Sequence, residues 1–353
     1  MIDRLFFELM QVALGNRVAL SKVPTDDEWA SLFDMAQKQA VAGLAISAMD
    51  RLSQQGQKPP RLLLLQWIGI GDYIRNRNEF LDAKCIELET LFSEKKIKSS
   101  ILKGQGVACY YGKDLRPLRQ FGDIDIFVNC GREESIKLAE ELLGKKVHWD
   151  YKHLQICLWN DVDIEMHYRV EVLFNLRKNR RLQKWFEKHE QWLYRESEGL
   201  IRPDVRFDLF YVLLHIYRHF LHEGVGLRQV VDYYFVLKAG VDYKGETVRT
   251  LQDFGMLHFA QGLMWIMRAI LGLEAKYLLC EPCEQEGRFI LQQIMMGGNF
   301  GKYDARISHV GGRLGYVRQV IKHNVHLLRH YPADVVWAPI WIIWHKLWKI
   351  TRK

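Results

Sequence analysis

Two short segments of the chain place acidic residues inside runs that are otherwise apolar. Residues 122–128 read GDIDIFV, and residues 162–168 read VDIEMHY. This alternation is typical of a β-strand, in which residues i and i+2 lie on the same face, roughly 6.5–7 Å apart. Each segment therefore predicts a strand with one face in the core and the other lined with carboxylates.

Five polar residues fall on these carboxylate faces. Asp123 and Asp125 share the face of the first strand. Asp163, Glu165 and His167 share the face of the second. If the two strands are neighbours in one sheet, three or four carboxylates converge on one patch. Such a cluster repels itself or binds protons, and a divalent cation such as Mg²⁺ removes that conflict. The alternative is a solvated strand face with incidental acids.

A glycine turn ahead of the first acidic strand favours the metal interpretation. Residues 102–106 (LKGQG) follow a predicted strand and open a short helix, so their backbone N–H groups are suited to an anion. Lys103 can meet a phosphate as a point charge, and Arg119 can bind one through its forked guanidinium group. A metal pair beside bound phosphates points to phosphoryl transfer. The alternative for both cations is an ordinary surface position.

The surrounding chain is predicted to be mostly helical, which makes the fold α+β. A capping box with Thr25 as N-cap and Glu28 as its partner begins one helix, and a longer helix is expected from about Leu62 to Phe92. We divide the chain into an N-terminal helical region (1–97), a small mixed α/β core (98–170) and a C-terminal helical domain (171–353).

The composition is that of an ordinary globular protein with a mild positive charge. Of the 353 residues, 48% are hydrophobic and 26% are charged, and 50 Lys and Arg against 42 Asp and Glu give a net charge of +8. This balance favours anionic partners such as nucleotides, nucleic acid or lipid headgroups without selecting one of them.

The cysteines and the apolar segments favour a cytoplasmic protein. The six cysteines lack the spacing of a disulfide framework, and the close pair Cys280 and Cys283 has no second pair beside it to complete a zinc site. We therefore expect reduced thiols. No segment has the pattern of a signal peptide, and none reaches the roughly 18 uncharged apolar residues of a membrane span.

Three motifs in this order resemble the nucleotidyltransferase superfamily. They are ILKGQGVACYY, LRPLRQFGDIDIFV and VDIEMHYR. The resemblance is greatest to its largely uncharacterised bacterial members, which carry L-K-G, R-x-x-x-D-I-D and E-x-H signatures. It implies a small mixed sheet with a glycine turn after the first strand, two acids on the next strand and a third acid on a later one.

The resemblance assigns roles to the acids. It implies that Asp123, Asp125 and Glu165 are the catalytic acids and the ligands of Mg²⁺ or Mn²⁺. Asp163 and His167 lie on the same strand face as Glu165 and are candidates to support it, His167 by orienting its carboxylate.

The resemblance also implies a nucleotide site and a reaction. Lys103, Gly104 and Gln105 form the turn expected to hold the phosphates of an NTP, and Arg119 is expected to reach a phosphate. The implied reaction transfers a nucleoside monophosphate to an acceptor hydroxyl or phosphate, and the acceptor stays open. Superfamily turns usually carry Gly followed by Ser or Gly, whereas this chain carries Lys-Gly-Gln. A catalytically inactive nucleotide-binding sensor or scaffold is therefore the alternative.

Residues 213–237 resemble the histidine-rich helix of the same family, followed by a basic and acidic helix. His215, His219 and His222 are spaced to share one helical face. We predict that His219 lines the nucleotide cleft. The alternative is a polar helix face or a set of satisfied core histidines.

Two basic segments suggest further partners. Residues 177–185 (RKNRRLQKW) are either a solvated helix or a platform for RNA. Residues 335–353 combine a tryptophan stripe with basic residues and either lie in a membrane interface or dock on the protein. The tryptophans of this tail are Trp337, Trp341, Trp344 and Trp348, and its basic residues are Lys346, Lys349, Arg352 and Lys353.

Overall fold

The chain folds into two compact units whose segments alternate along the sequence. The structure, a computed structural model, describes residues 2–303 and 326–351. The first unit contains residues 1–80, 110–121 and 212–305. The second contains residues 81–109, 122–211 and 306–353, as far as these are described. The predicted three-part domain division stays a prediction, because compactness does not establish which segments fold independently.

Helices and strands follow one another as expected for an α+β chain. The helices are α1 (Ile2–Ala13), α2 (Asp26–Lys38), α3 (Ala42–Ile46), α4 (Met49–Gln54), α5 (Arg61–Glu94), α6 (Gln105–Ala108), α7 (Gly131–Leu143), α8 (Leu176–Lys188), α9 (Val205–His222), α10 (Leu227–Ala239), α11 (Lys244–Asp253), α12 (Leu257–Trp265), α13 (Glu284–Gly297), α14 (Pro332–Val335) and α15 (Trp337–Ile350). The strands are β1 (Ser99–Ile101), β2 (Ile124–Val128), β3 (His148–Trp149), β4 (His153–Ile156), β5 (Ile164–His167), β6 (Arg195–Ser197) and β7 (Leu200–Arg202).

Sequence signals set the ends of several helices. The Thr25 hydroxyl accepts from the Glu28 N–H at 3.3 Å, and the Glu28 carboxylate accepts from the Thr25 N–H at 3.0 Å, which confirms the predicted capping box of α2. Helix α5 spans Arg61–Glu94 and so confirms the predicted long helix. Helix α7 ends at Gly144, whose φ of 62° is a left-handed value that glycine adopts without strain.

The second unit is built on a mixed five-stranded sheet with the order β1-β2-β5-β4-β3. Strands β2 and β5 pair in parallel, and the other neighbours pair antiparallel. Strands β6 and β7 form a separate two-stranded sheet. The arrangement confirms the predicted α+β fold and the predicted neighbourhood of the two acidic strands.

An inner strand of this sheet, β2, carries a charged residue in the core. All five residues of β2 are buried, including Asp125, which is 3% exposed. A buried carboxylate costs several kcal/mol of solvation unless partners compensate it. The contacts of Asp125 therefore show what this strand position is used for.

The first unit is helical, and its most enclosed element is α10. Residues Leu227–Leu237 of this helix are all buried, and the buried set includes Arg228 and Asp232. A helix that is buried on every side belongs to the core of its unit. Each helix in the described part of the chain is too short or too polar to cross a bilayer.

Candidate metal and nucleotide site

The sheet of the second unit brings the three predicted acids together. Asp125 and Glu165 stand opposite each other in the parallel register of β2 and β5, and Asp123 comes immediately before β2. One carboxylate oxygen from each lies within 4.8 Å of one from the other two. A hard cation such as Mg²⁺ or Mn²⁺ takes oxygen ligands in this kind of arrangement.

Two nitrogen-bearing side chains contact the acids directly. The Lys103 ammonium lies 2.6 Å from Asp125 Oδ1. His167 Nε2 lies 2.9 Å from the same oxygen and 3.2 Å from Glu165 Oε2. His167 is fully buried, so its imidazole links the two strands from within the core.

The contacts with Lys103 and His167 lower the pKa of two of the acids, whereas the pKa of the third is raised. Burial raises the pKa of a carboxyl group, but Lys103 and the hydrogen bond with His167 outweigh it and lower the pKa of Asp125 to about 2. Burial likewise opposes ionisation of Glu165, yet His167 and Lys103 hold its pKa well below the ordinary range. Asp123 differs, because the charge of Asp125 and burial raise its pKa to about 6.

The charge on the cluster fits a divalent cation. The three carboxylates have one lysine and one imidazole among them as nitrogen partners. The pKa of Asp123 is raised by the charge of Asp125 and by burial, so Asp123 is still repelled by its neighbour. A cation between the acids would remove that repulsion. All three donors are oxygens, which matches the preference of Mg²⁺ and Mn²⁺ over softer metals.

His153 joins the cluster and was missed by sequence reasoning. Its Nδ1 lies 3.6 Å from Glu165 Oε2, and its ring centroid lies 5.1 Å from that of His167. Burial and the neighbouring His167 lower its pKa to about 4, so it is neutral at pH 7. The sequence does carry a signal for His153. Strands β4 and β5 are antiparallel, and counting residues back through the turn between them places His153 opposite His167.

The predicted phosphate turn approaches the acids through its backbone. Gly104 has a φ of +55°, and a Cβ built on it would lie 3.4 Å from the carbonyl oxygen of Asp123. Helix α6 is a single turn of four residues, so the turn itself rather than a helix dipole remains the candidate anion site. The Gln105 side-chain amide donates to Asp82 at 2.6 Å, and the role of this turn in phosphate binding stays a prediction.

Asp163 is solvent-exposed, unlike the three clustered acids. Its carbonyl oxygen accepts from the Ile124 N–H at 2.9 Å, so its backbone extends the parallel ladder by one bond. Within the described residues, Asp163 does not belong to a group of clustered metal-ligating side chains. Its supporting role stays a prediction.

Arg119 lies in the first unit, where its guanidinium group is engaged on all sides. Its Nε and Nη2 donate to Asp232 at 2.7 and 2.8 Å, and its Nη1 donates to the Gln120 carbonyl at 3.2 Å. The Tyr111 hydroxyl donates to the same carboxylate at 2.7 Å. These bonds hold the loop that contains Arg119 against α10, and a nucleotide-binding role for it stays a prediction.

His219 also belongs to the first unit. Its Nδ1 lies 2.7 Å from a carboxylate oxygen of the half-exposed Glu223, and its ring lies 4.2 Å from that of His215 and 5.4 Å from that of Phe300. Its predicted role beside the nucleotide stays a prediction.

Both basic segments make contacts within the protein. In α8, Lys178 contacts both oxygens of Asp334 at 3.0 and 3.1 Å, while Leu182 and Phe186 are buried. In α15, Trp341, Trp344 and Trp348 pack on the second unit, so docking of the tail is observed. Arg352 and Lys353 lie outside the described residues.

The mixed sheet, its glycine turn and its paired acids have the features of a nucleotidyltransferase core. A family model described as uncharacterised nucleotidyltransferase matches residues 25–272, and the chain belongs to this family. The membership supports nucleotidyl transfer as the general activity, with an NTP as donor. No curated protein and no solved structure matches the chain significantly.

Proposed function

We propose that the protein is a metal-dependent nucleotidyltransferase that moves a nucleoside monophosphate from an NTP to an acceptor hydroxyl or phosphate. One observation carries the proposal: three carboxylates from two parallel neighbouring strands lie within 4.8 Å of one another while retaining excess negative charge. Structural ion pairs balance their charge, so an unbalanced cluster indicates a ligand.

Asp123, Asp125 and Glu165 are the residues that would hold the cation. When bound there, Mg²⁺ or Mn²⁺ screens the charge of the transferred phosphate and lowers the pKa of the attacking hydroxyl. Lys103 and His167 keep Asp125 and Glu165 ionised, so these two acids are available as ligands at any pH near neutral.

The chain's own groups position the nucleotide in this proposal. Lys103 keeps its positive charge, because its pKa is raised when Asp125 and Glu165 outweigh the effect of burial. A half-buried lysine beside a glycine turn offers a phosphate oxygen both a charge and backbone N–H groups. We assign the β- and γ-phosphates to Lys103, Gly104 and Gln105, and leave the acceptor open.

A thermal-shift panel tests the donor site first. Each of the four NTPs is added with Mg²⁺ or Mn²⁺ to the wild type, to Asp123→Asn/Asp125→Asn and to Asp114→Asn, an exposed acid that serves as the matched control. We expect one NTP to raise the melting temperature of the wild type and of the control only when metal is present. The double variant should show no such rise. No shift in the wild type under either metal would refute the proposal.

The altered turn favours a second candidate, a nucleotide sensor without activity. Lys103 contacts Asp125 instead of standing clear of the acids, and Lys-Gly-Gln replaces the usual turn. Release of pyrophosphate from the stabilising NTP, in the presence of candidate acceptors, separates the two functions. A sensor would bind the NTP and release none, even when the enzyme-to-acceptor ratio is varied.

A further inference from the structure

The last described helix exposes a continuous apolar stripe. Val336, Ile340, Ile343, Leu347 and Ile350 are 53%, 42%, 62%, 60% and 70% exposed. They follow one another at intervals of four and three residues, so four of them line one side of α15 and Val336 precedes them on the same line. Monomeric proteins rarely leave this many branched aliphatic side chains together in water.

The tryptophan side of the same helix, which adjoins the stripe, packs on other residues of the second unit. Tyr151 receives the rings of Trp341, Trp344 and Trp348 at centroid distances of 5.2, 5.1 and 4.8 Å. Trp341 is buried and also stacks on Phe174 at 5.2 Å. The helix is therefore held in one rotation about its axis, which presents the aliphatic stripe outward.

The charges of the segment that carries the stripe have a single sign. The segment 335–353 contains no Asp or Glu, and its basic residues include Lys346 and Lys349. Lys346 is exposed on the edge of the stripe, and the Lys349 ammonium lies 5.5 Å from the ring centroid of Trp149. An apolar stripe with lysines at one edge is the pattern of a helix that lies in an anionic membrane surface.

We propose that α15 binds an anionic lipid surface through this stripe, with Lys346 and Lys349 at the headgroups. Charge decides between this occupant and a second copy of the chain. Two copies paired along the stripe would bring lysines together with no acid from the segment to neutralise them. Anionic headgroups supply that neutralisation. The matched family region ends at residue 272, so the stripe lies outside it and the proposal does not depend on the transferase assignment.

Flotation with vesicles tests the proposal on the full chain. Wild type is mixed with vesicles of phosphatidylcholine alone or of equal parts phosphatidylcholine and phosphatidylglycerol. We expect binding to the anionic vesicles that weakens with salt, and much weaker binding to the neutral ones. Ile343→Glu/Leu347→Glu should bind the anionic vesicles at least about tenfold more weakly, because it places two charges in the apolar stripe.

Each test variant has a control variant with similar substitutions elsewhere on the protein surface. Leu62→Glu/Leu65→Glu changes two exposed leucines of α5 and should bind as the wild type does. Lys346→Ser/Lys349→Ser should bind the anionic vesicles about 25-fold more weakly at low salt, since each surface lysine contributes about fivefold. Lys145→Ser/Lys146→Ser, which changes two exposed lysines elsewhere in the second unit, is its control. An unchanged melting temperature establishes that each variant is folded.

Three outcomes would overturn the proposal. The first is that wild type fails to float with anionic vesicles. The second is that Ile343→Glu/Leu347→Glu floats as well as the wild type, or that the α5 control loses binding equally. The third is a dimer in sedimentation velocity without lipid that Ile343→Glu/Leu347→Glu dissociates, because a second copy would then cover the stripe.

Discussion

Both units bury a cluster of charged side chains, but only in the first unit is the acid paired with an arginine of its own; we call that cluster balanced and the crowded acids of the second unit unbalanced. In the first unit, Asp232 faces Arg119 in a two-bond pair and accepts a further bond from Tyr111. In the second unit, three carboxylates share Lys103 and His167. The balanced cluster has the composition of a structural ion pair, whereas the unbalanced one retains repulsion that a cation would remove. Excess charge, more than burial, marks the candidate site.

The largest effect on stability is expected at the balanced cluster. Asp232→Asn leaves the buried Arg119 guanidinium without its counter-charge, and we expect it to lower the free energy of unfolding by about 3–5 kcal/mol. Urea unfolding followed by circular dichroism measures this. In the double variant Arg119→Met/Asp232→Leu, both charges are absent, and much of the loss should be recovered. A loss below about 1 kcal/mol for Asp232→Asn would show that the pair does not stabilise the fold.

The second effect should separate binding from stability at the unbalanced cluster. Asp123→Asn removes one proposed ligand and also one repelling charge. We expect Mn²⁺ affinity, measured by titration calorimetry, to fall at least about tenfold. Mutating a residue that only hydrogen-bonds to a metal ligand already lowers metal affinity by about that factor. The metal-free variant should be no less stable than the wild type. If Asp123→Asn lowered stability but left the Mn²⁺ affinity unchanged, Asp123 would have a structural role and would not be a metal ligand.

The pH dependence of the metal-free protein should show the same repulsion. The pKa of Asp123 is raised from an unfolded value near 4 to about 6 in the fold, so the folded state binds its proton more tightly. Above about pH 6, the wild type should therefore have a lower free energy of unfolding than Asp123→Asn. This penalty should disappear as the pH falls towards 4. Solvent screening of the partly exposed group limits it to about 1 kcal/mol. Unfolding curves of both proteins between pH 4 and about 8 measure the difference.

The smallest stability effect is expected at His219. Its polar partner Glu223 is half-exposed, so His219→Gln should change the free energy of unfolding by about 0.5 kcal/mol. If His219 lines the nucleotide site as predicted, the NTP-dependent rise in melting temperature should shrink in the same variant. An unaltered rise would assign His219 to packing alone.

Periodicity predicted much of the sheet and part of the site. Acid and apolar alternation in β2 and β5 was enough to expect a shared carboxylate face, and the register of Asp125 with Glu165 agrees with it. In the structure β4 pairs antiparallel with β5, which adds a second neighbour to the acidic strand. Local patterns of this kind work because side-chain direction in a strand depends only on residue parity.

Contacts between distant segments were not predictable in the same way. Arg119 and Asp232 are 113 residues apart, and no local pattern signals which carboxylate a buried arginine will meet. The contact of Lys103 with Asp125 has no local signal either, and the phosphate contact of Lys103 stays a prediction. Both outcomes depend on tertiary packing, which a single sequence does not encode in its periodicity. His153 is intermediate, because the antiparallel register of two strands close in sequence places it opposite His167.

The parallel pairing of β2 and β5 has a consequence for how the protein is made. Parallel strands need a long crossover, and here β5 begins about 36 residues after β2 ends. At a synthesis rate of about 5–20 residues per second, the 40 residues from Asp125 to Glu165 take about 2–8 s to add. During that interval the nascent chain carries Asp123 and Asp125 without Glu165. The three-acid cluster is therefore completed only after β1, β2 and the crossover have been synthesised.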